Sequence, residues 1–385
     1  MTYAAEFVFW VASGVTVYAY AGYALLLALL AHLRPRTARA GSSQPSVSLI
    51  IPAYNEAASM AAKLENSLEL DYPRALLEIL VISSGSDDGT ETIAQGYAPA
   101  GVRTIVQASR AGKEAAMQEA VRHARGEILV FTDANAMLNR DAIGLMVRWF
   151  ADPEVGCVAG EKLVSAGSAE SSGAGEGAYW RYESMLKRLD STVGSTMGAA
   201  GELCAIRAGL MTAREHDNII EDFVLSMRVV EAGYRIVHEP GAVATEEASA
   251  RFEDVFERRA RIAAGGFQSI WRLRSLLHPR RGIVWWQYVS HRVLRWALVP
   301  FLLPFLIIIN WNLLSARPIY RPMLLAQVIF YGAAVTGWWL RRSPLGRLRV
   351  VAFPFFFSAA NAAVLVGCAR LVTGRQTVLW KRTRP

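Results

Sequence analysis

The sequence predicts an α/β domain, built on a mostly parallel sheet with flanking helices and joined to interfacial and transmembrane helices. Three observations carry this. Strand-like and helical stretches alternate between residues 47 and 131, the charged residues lie mostly between about 50 and 290, and long apolar runs occupy both ends of a 385-residue chain that is 53% apolar.

Residues 7–33 contain no Asp, Glu, Lys or Arg. At about 1.5 Å per residue, such a helix exceeds a bilayer core of roughly 30 Å. A signal peptide is the competing reading, but no Lys or Arg precedes the run, it is too long, and Arg34, Arg36 and Arg39 come after it. Residues 1–40 are therefore expected to form an uncleaved anchor, with the arginines placing the adjoining domain in the cytoplasm.

A polar linker, 40–46 (AGSSQPS), leads into 47–52 (VSLIIP), which reads as a buried strand. A helix is expected over 56–70, then a strand over 77–82 (LEILVI) ending in the turn-rich 83–90 (SSGSDDGT). Next come a helix over 91–97, a strand over 102–106, a helix over 113–124 and a strand over 127–131 (EILVF). Such alternation implies a parallel sheet with helices on both faces, whose ligands bind beyond the carboxyl ends of the strands. Two acidic turns, 83–90 and 132–136, fall at those ends.

Residues 165–177 (SAGSAESSGAGEG) read as a flexible low-complexity loop and 179–189 as a helix. Over 251–274, arginines are interleaved with Phe252, Phe256, Ile262, Phe267, Ile270 and Trp271, and Trp285, Trp286 and Tyr288 come soon after. That mixture suits helices lying at the headgroup level, a soluble helix hairpin being the alternative. The expected organisation is a soluble domain over 46–250, interfacial helices over 251–295, and membrane helices with a tail over 296–385. Spans are expected at 296–314, 323–340 and 350–369, with Arg341, Arg342, Arg347 and Arg349 in a cytoplasmic loop. One span before the domain and three after it put the basic tail (Arg375, Lys381, Arg382, Arg384) outside, against the positive-inside rule.

The net charge of +8 is spread over membrane-flanking arginines. It fits anionic headgroups and diphosphate ligands better than nucleic acid. Cys157, Cys204 and Cys368 have no metal or disulfide spacing and read as reduced thiols; six scattered histidines give no zinc pattern.

Several residues point to chemistry, each with a plainer alternative. Asp133, after a strand, either forms a turn or holds a divalent cation on a diphosphate. Glu221-Asp222 either favours a helix N-terminus or supplies a general base. Arg258, Arg259 and Arg261 form either a solvated face or a diphosphate clamp. Gly112-Lys113 opens a helix that meets a phosphate, or Lys113 is a surface lysine.

Their order decides. The series Pro52-Ala53-Tyr54-Asn55-Glu56, 83–90, Gly112-Lys113, Asp133-Ala134-Asn135, 198–207 (GAAGELCAIR), Glu221-Asp222 and Arg258-Arg259-Ala260-Arg261-Ile262 resembles glycosyltransferase family 2. Within it, the series is similar to the membrane-embedded synthases of cellulose, hyaluronan and poly-N-acetylglucosamine. The resemblance runs from about 47 to 296.

The resemblance implies a GT-A fold that binds a nucleotide sugar, a UDP-sugar being the expected donor. It implies that Ala53, Tyr54 and Glu56 hold base and ribose, that Asp88 matches the second Asp of its turn, and that Lys113 lies near the diphosphate. Asp133 matches the first Asp of the metal-binding Asp-x-Asp motif, with Asn135 in place of the second, so magnesium or manganese is the implied cofactor. Asp222 matches the general base, with Glu221 beside it. Arg258 and Arg261 match the arginines beside the diphosphate and the acceptor channel. Gly198 to Gly201 matches the loop under the acceptor sugar, and Ile262 stands where an acceptor-stacking Trp is usual. Ser84 replaces a further Asp.

The implied activity is inverting transfer to a growing polysaccharide, with possible coupling to export through accessory subunits. Transfer of one sugar to a membrane lipid, or a degenerate nucleotide-sugar-binding subunit, are the alternatives. The implied partners are the donor, a glycan or lipid acceptor and the membrane. The implied location is the plasma (inner) membrane, with the catalytic domain cytoplasmic.

Overall fold

The structure, a computed structural model, describes residues 2–110, 112–165, 172–211, 217–247 and 251–377. Lys381, Arg382 and Arg384 of the expected basic tail lie outside them.

Helix α1 (Thr2–Val17) runs through a π-helical turn, Tyr18–Gly22, into α2 (Tyr23–Leu33). The soluble part is then built as β1 (Val47–Ala53), α3 (Ala57–Leu68), β2 (Leu77–Ser84), α4 (Thr90–Gly96), β3 (Val102–Gln107), α5 (Lys113–His123), β4 (Ile128–Phe131), β5 (Met137–Leu138), α6 (Ala142–Val147), β6 (Val155–Ser165), α7 (Ser172–Val193), β7 (Cys204–Arg207), α8 (Glu221–Glu231) and β8 (Arg235–Glu247). Then come α9 (Phe252–Arg272), α10 (Ile283–Tyr288), a π-helical stretch Val289–Leu298, α11 (Val299–Asn312), α12 (Tyr320–Leu340) and α13 (Arg349–Val372).

Among the described residues, eight strands form one sheet in the order β3-β2-β1-β4-β7-β6-β8-β5. The first four are parallel, as the alternation implies. The sheet turns mixed at β7, which runs antiparallel to both β4 and β6. Strand pleating splits the core in two. Val47, Leu49 and Ile51 of β1 face Met60 and Leu64 of α3 and Ile143 and Met146 of α6. Ile50, between them, joins Ala116 and Met117 of α5 and Phe223 and Met227 of α8 on the other face.

Two expectations change. The loop expected over 165–177 is shorter: β6 ends at Ser165 and α7 already begins at Ser172, while 166–171 lie outside the described residues. Helix propagation costs little once Glu183, Leu186 and Asp190 are buried further along, so the turn-rich start is carried with it. Residues 283–295, expected at the headgroup level, form the first part of a helix continuous to Asn312. Their polar groups find protein partners, and Gln287, Tyr288 and His291 are buried.

Among the described residues, four helices are long and apolar enough to cross a membrane: Thr2–Leu33, Ile283–Asn312, Tyr320–Leu340 and Arg349–Val372. Only 17–33% of the apolar stretch in each is covered by protein. Helix α9 is fastened to α13. A Cβ on Gly367 would collide with the Ala260 carbonyl, and would lie 2.9 Å from both Ala263 Cβ and Ala264 N. Arg370 forks onto Glu257 at 2.6 and 2.8 Å, and Phe252 packs 5.0 Å from the Phe355 ring.

Cys157 and Cys204, far apart in sequence, lie buried with sulfurs 3.5 Å apart; both are free thiols.

Candidate active site

The carboxyl end of β2, the turns after β1 and β4 and the N-terminus of α5 converge on one cleft of about 780 Å³, open solvent included. Pro52, Ala53, Tyr54 and Glu56 form one wall, Gly112 and Lys113 another, and Asp133, Ala134 and Asn135 the floor. Glu221 from α8 and Arg261 from α9 close it. Its position beyond the carboxyl ends of the parallel strands is where such a sheet exposes helix N-termini and backbone N–H groups.

The charged groups interlock. Lys113 Nζ lies 2.6 Å from Asp133 Oδ1 and 3.4 Å from Glu221 Oε1. A Cβ built on Gly201 would lie 3.2 Å from both Asp222 Oδ2 and Lys113 Nζ. Base candidate and lysine therefore face one point above that glycine, in a smaller recess shared with Pro52, Phe131 and Thr132. Burial alone would lower the Lys113 pKa, but Asp133, Glu221 and Asp222 overcome it and raise it. Asp222 is pushed up to about 6, by burial first and then by Glu221 and Glu202, against the pull of Lys113. Its Oδ1 accepts from the Phe223 N–H at 2.8 Å, which fixes the carboxylate at the start of α8. Arg261 Nη2 donates to the Ile219 carbonyl at 2.8 Å and lies 3.9 Å from Glu221.

Gly201 and Asp222 line the smaller recess, and four expected residues stand apart from both linings. Asp88 ties loops together, accepting from Ala57 N at 3.0 Å and from Thr90 N at 3.0 Å. Gly198 has φ +99°, and a side chain there would strike the Phe223 ring. Arg258 acts electrostatically on Lys162 and Glu202. Ile262 is 38% exposed.

Several site residues escape the sequence reading. Arg110 stacks on the Tyr54 ring at 3.9 Å and lines the cavity; its signal is a second cation three residues before Lys113. Lys63 is buried under the floor, donating to Thr132 Oγ1 at 3.0 Å and to the Ala136 carbonyl. Burial pushes its pKa down to about 7, against Asp133 and Glu246. Lys162 is buried between Glu202 and Glu246.

Among the described residues, no three His, Cys, Asp or Glu side chains gather to hold a metal by themselves. Magnesium is commonly held by one or two carboxylates plus substrate phosphates. The Asp133 carboxylate and the Asn135 amide, both lining the cavity beside Lys113, fit a cation of that kind.

A model of the family described as glycosyltransferase-like family 2 matches residues 45–265. The poly-beta-1,6-N-acetyl-D-glucosamine synthase of Staphylococcus epidermidis is 26% identical over 234 residues, 59% of this chain and 56% of that protein. The Staphylococcus aureus synthase is 25% identical over 235 residues, with the same coverage. The chain thus spans little more than half the length of the curated relatives it matches. A mannosyltransferase from Pyrobaculum calidifontis, solved with GDP-mannose and Mn2+, superposes with a TM-score of 0.75 at 24% identity, covering 96% of this chain and 99% of that one. That likeness confirms the GT-A fold expected from the sequence. With the family match spanning more than half of its length, between helices long and apolar enough to cross a membrane, the chain belongs to glycosyltransferase family 2.

Proposed function

We propose that the protein moves a sugar from a nucleotide sugar, expected to be a UDP-sugar, to a growing polysaccharide in one inverting displacement. Tyr54, with Arg110 on its ring, Ala53 and Glu56 receive the base and ribose. Asp222 takes the proton of the acceptor hydroxyl, whose oxygen attacks the anomeric carbon as the bond to the diphosphate breaks. Lys113, Arg261 and, from further back, Arg258 balance the charge that develops on the departing diphosphate. Magnesium or manganese, held by Asp133 and Asn135 with the diphosphate, would supply Lewis-acid stabilisation of the leaving group. The loop from Gly198 to Gly201, with Glu221 and Ile262, borders the acceptor. Similarity to the two staphylococcal synthases supports a polymeric product. Arg34, Arg36 and Arg39 after the first span support a plasma (inner) membrane protein with a cytoplasmic catalytic domain.

One observation carries the reading: Asp222 and Lys113 converge on the same point above Gly201 while Lys113 holds Asp133. Asp222→Asn is expected to lower transfer by about 10²–10⁴-fold. Nucleotide-sugar binding, measured by filtration on membranes, should persist. Transfer by this variant at more than a tenth of the wild-type rate would overturn the role of Asp222.

A second reading, single-sugar transfer to a membrane lipid, is favoured by the largely uncovered spans and by Ile262 at a position where an aromatic would hold a glycan. Radiolabelled nucleotide sugars supplied to the protein in membranes separate the two, since a ladder of products excludes single transfer.

A further inference from the structure

Where the helix Ile283–Asn312 enters the soluble domain, it drives a set of polar side chains into the interior. His291 Nδ1 lies 2.6 Å from Asp190 Oδ2, and its Nε2 lies 3.3 Å from Glu183 Oε2. Arg295 reaches Glu183 Oε1 at 2.6 Å, and Gln287 Nε2 donates to Asp190 Oδ1 at 3.0 Å. Tyr23, from the first span, donates to the same Asp190. His291, Glu183, Asp190 and Gln287 are all buried. Unpaired charges at such depth are costly, so the partners hold one another in place. The π-helical stretch Val289–Leu298 sets the faces on which these groups emerge.

Two residues of this helix reach past the cluster towards the reaction. Gln287 Oε1 accepts from Ser195 N at 3.2 Å, and Arg292 Nε donates to the Met197 carbonyl at 2.8 Å. Ser195 and Met197 lead directly into the Gly198–Gly201 loop. The Arg292 guanidinium also lies 5.5 Å from the Phe223 ring centroid and 5.4 Å from that of Trp296. Phe223 is the residue after Asp222, and its ring lies against Gly198. One guanidinium therefore touches the segment leading into the loop and the first turn of the helix that carries Asp222.

We infer that Arg292 is a positioning residue for glycosyl transfer, joining the helix Ile283–Asn312 to the Gly198–Gly201 loop and to the helix that presents Asp222, so that the acceptor side of the site is set by a helix that continues into the apolar bundle. This rests on the proposed roles of Asp222 as base and of that loop as the acceptor border. The donor side is built from Tyr54, Lys113 and Asp133, whereas the contacts of Arg292 run to Met197, Glu183, Phe223 and Trp296. Acceptor and donor functions should therefore separate in a variant.

The test uses the full chain in membranes, with radiolabelled UDP-N-acetylglucosamine, or GDP-mannose where that is the donor turned over. Three quantities are read: donor binding by filtration, release of free sugar to water, and label retained in membrane-bound or polymeric product. Arg292→Lys keeps a cation facing Glu183 but gives up the Nε–H and the flat guanidinium. It should cut transfer by about tenfold or more, since small misplacement of reacting groups is expensive. Donor binding should stay within about twofold, and release to water should rise relative to transfer. Arg292→Met should deepen the same split. If Arg292→Lys does not fold, Gln287→Met, which keeps length and loses the bonds to Ser195 and Asp190, carries the same expectation. Unchanged transfer, or donor binding falling in parallel with transfer, would overturn the inference. Asp222→Asn serves as the reference: its persistent transfer would count against the base assignment alone.

Discussion

Asp222 begins a helix beside two other carboxylates, Glu221 and Glu202, and one ammonium, Lys113, and its reactivity is the balance among them. Only the carboxylate form accepts a proton, and burial with the neighbouring acids holds its pKa at about 6. Transfer measured as kcat/KM against pH should therefore fall as the pH drops through about 6 and level off above it. Lys113 pulls this pKa down, so Lys113→Met should move the acidic limb to higher pH as well as weaken donor binding. Glu202 is itself held below the usual carboxylate range against its burial by Lys162, while Glu246 is pushed up by burial and by Glu202. Lys63 works from beneath: two donor contacts shape the turn that carries Asp133. Lys63→Met should lower stability by about 1–3 kcal/mol in denaturant unfolding, because Thr132 and the Ala136 carbonyl would be left buried without that donor.

Secondary elements were legible where one rule governed them. In β1, Val47, Leu49 and Ile51 turn to one face and Ile50 to the other, so a run apolar on both sides announces a central parallel strand. Helix α3 shows the limit of the pattern. Its inward positions are Met60, Lys63, Leu64 and Ser67, so a lysine sits at the helical core spacing and hides among surface residues unless that spacing is read first. The outer strands β5 to β8 leave the regular alternation, and their antiparallel joins come from long-range pairing that no local pattern encodes. The polar residues from Gln287 to Arg295 read as interfacial because their partners, Glu183 and Asp190, lie about a hundred residues away. Among the loops, the one before β7 is tightly constrained. Gly198 has φ +99° and no room beside Phe223. Gly198→Ala should cost about 1–3 kcal/mol of strain and depress kcat more than donor KM, measured by steady-state kinetics.

At the scale of the molecule, soluble and membrane parts share structural members. Helix α9 brings Arg261, near its middle, to the cavity, while the small residues Ala260, Ala263 and Ala264 beside it receive α13. A side chain at Gly367 has no space against Ala260, Ala263 and Ala264, so Gly367→Val should destabilise the protein by about 1–3 kcal/mol or displace α9. The matching readout is lost transfer together with a lower midpoint of thermal inactivation in membranes. The same fastening has a wider consequence. A helix that tilts to match a thinner or thicker bilayer carries whatever is bolted to it. Gly367 lets α13 lie directly on the backbone of α9, so a change in the tilt of α13 should be passed to α9 and to Arg261. Reconstituted in short- and long-chain phosphatidylcholines, the enzyme should show a transfer optimum at one bilayer thickness, and the surrounding lipid would then act as a control on synthesis.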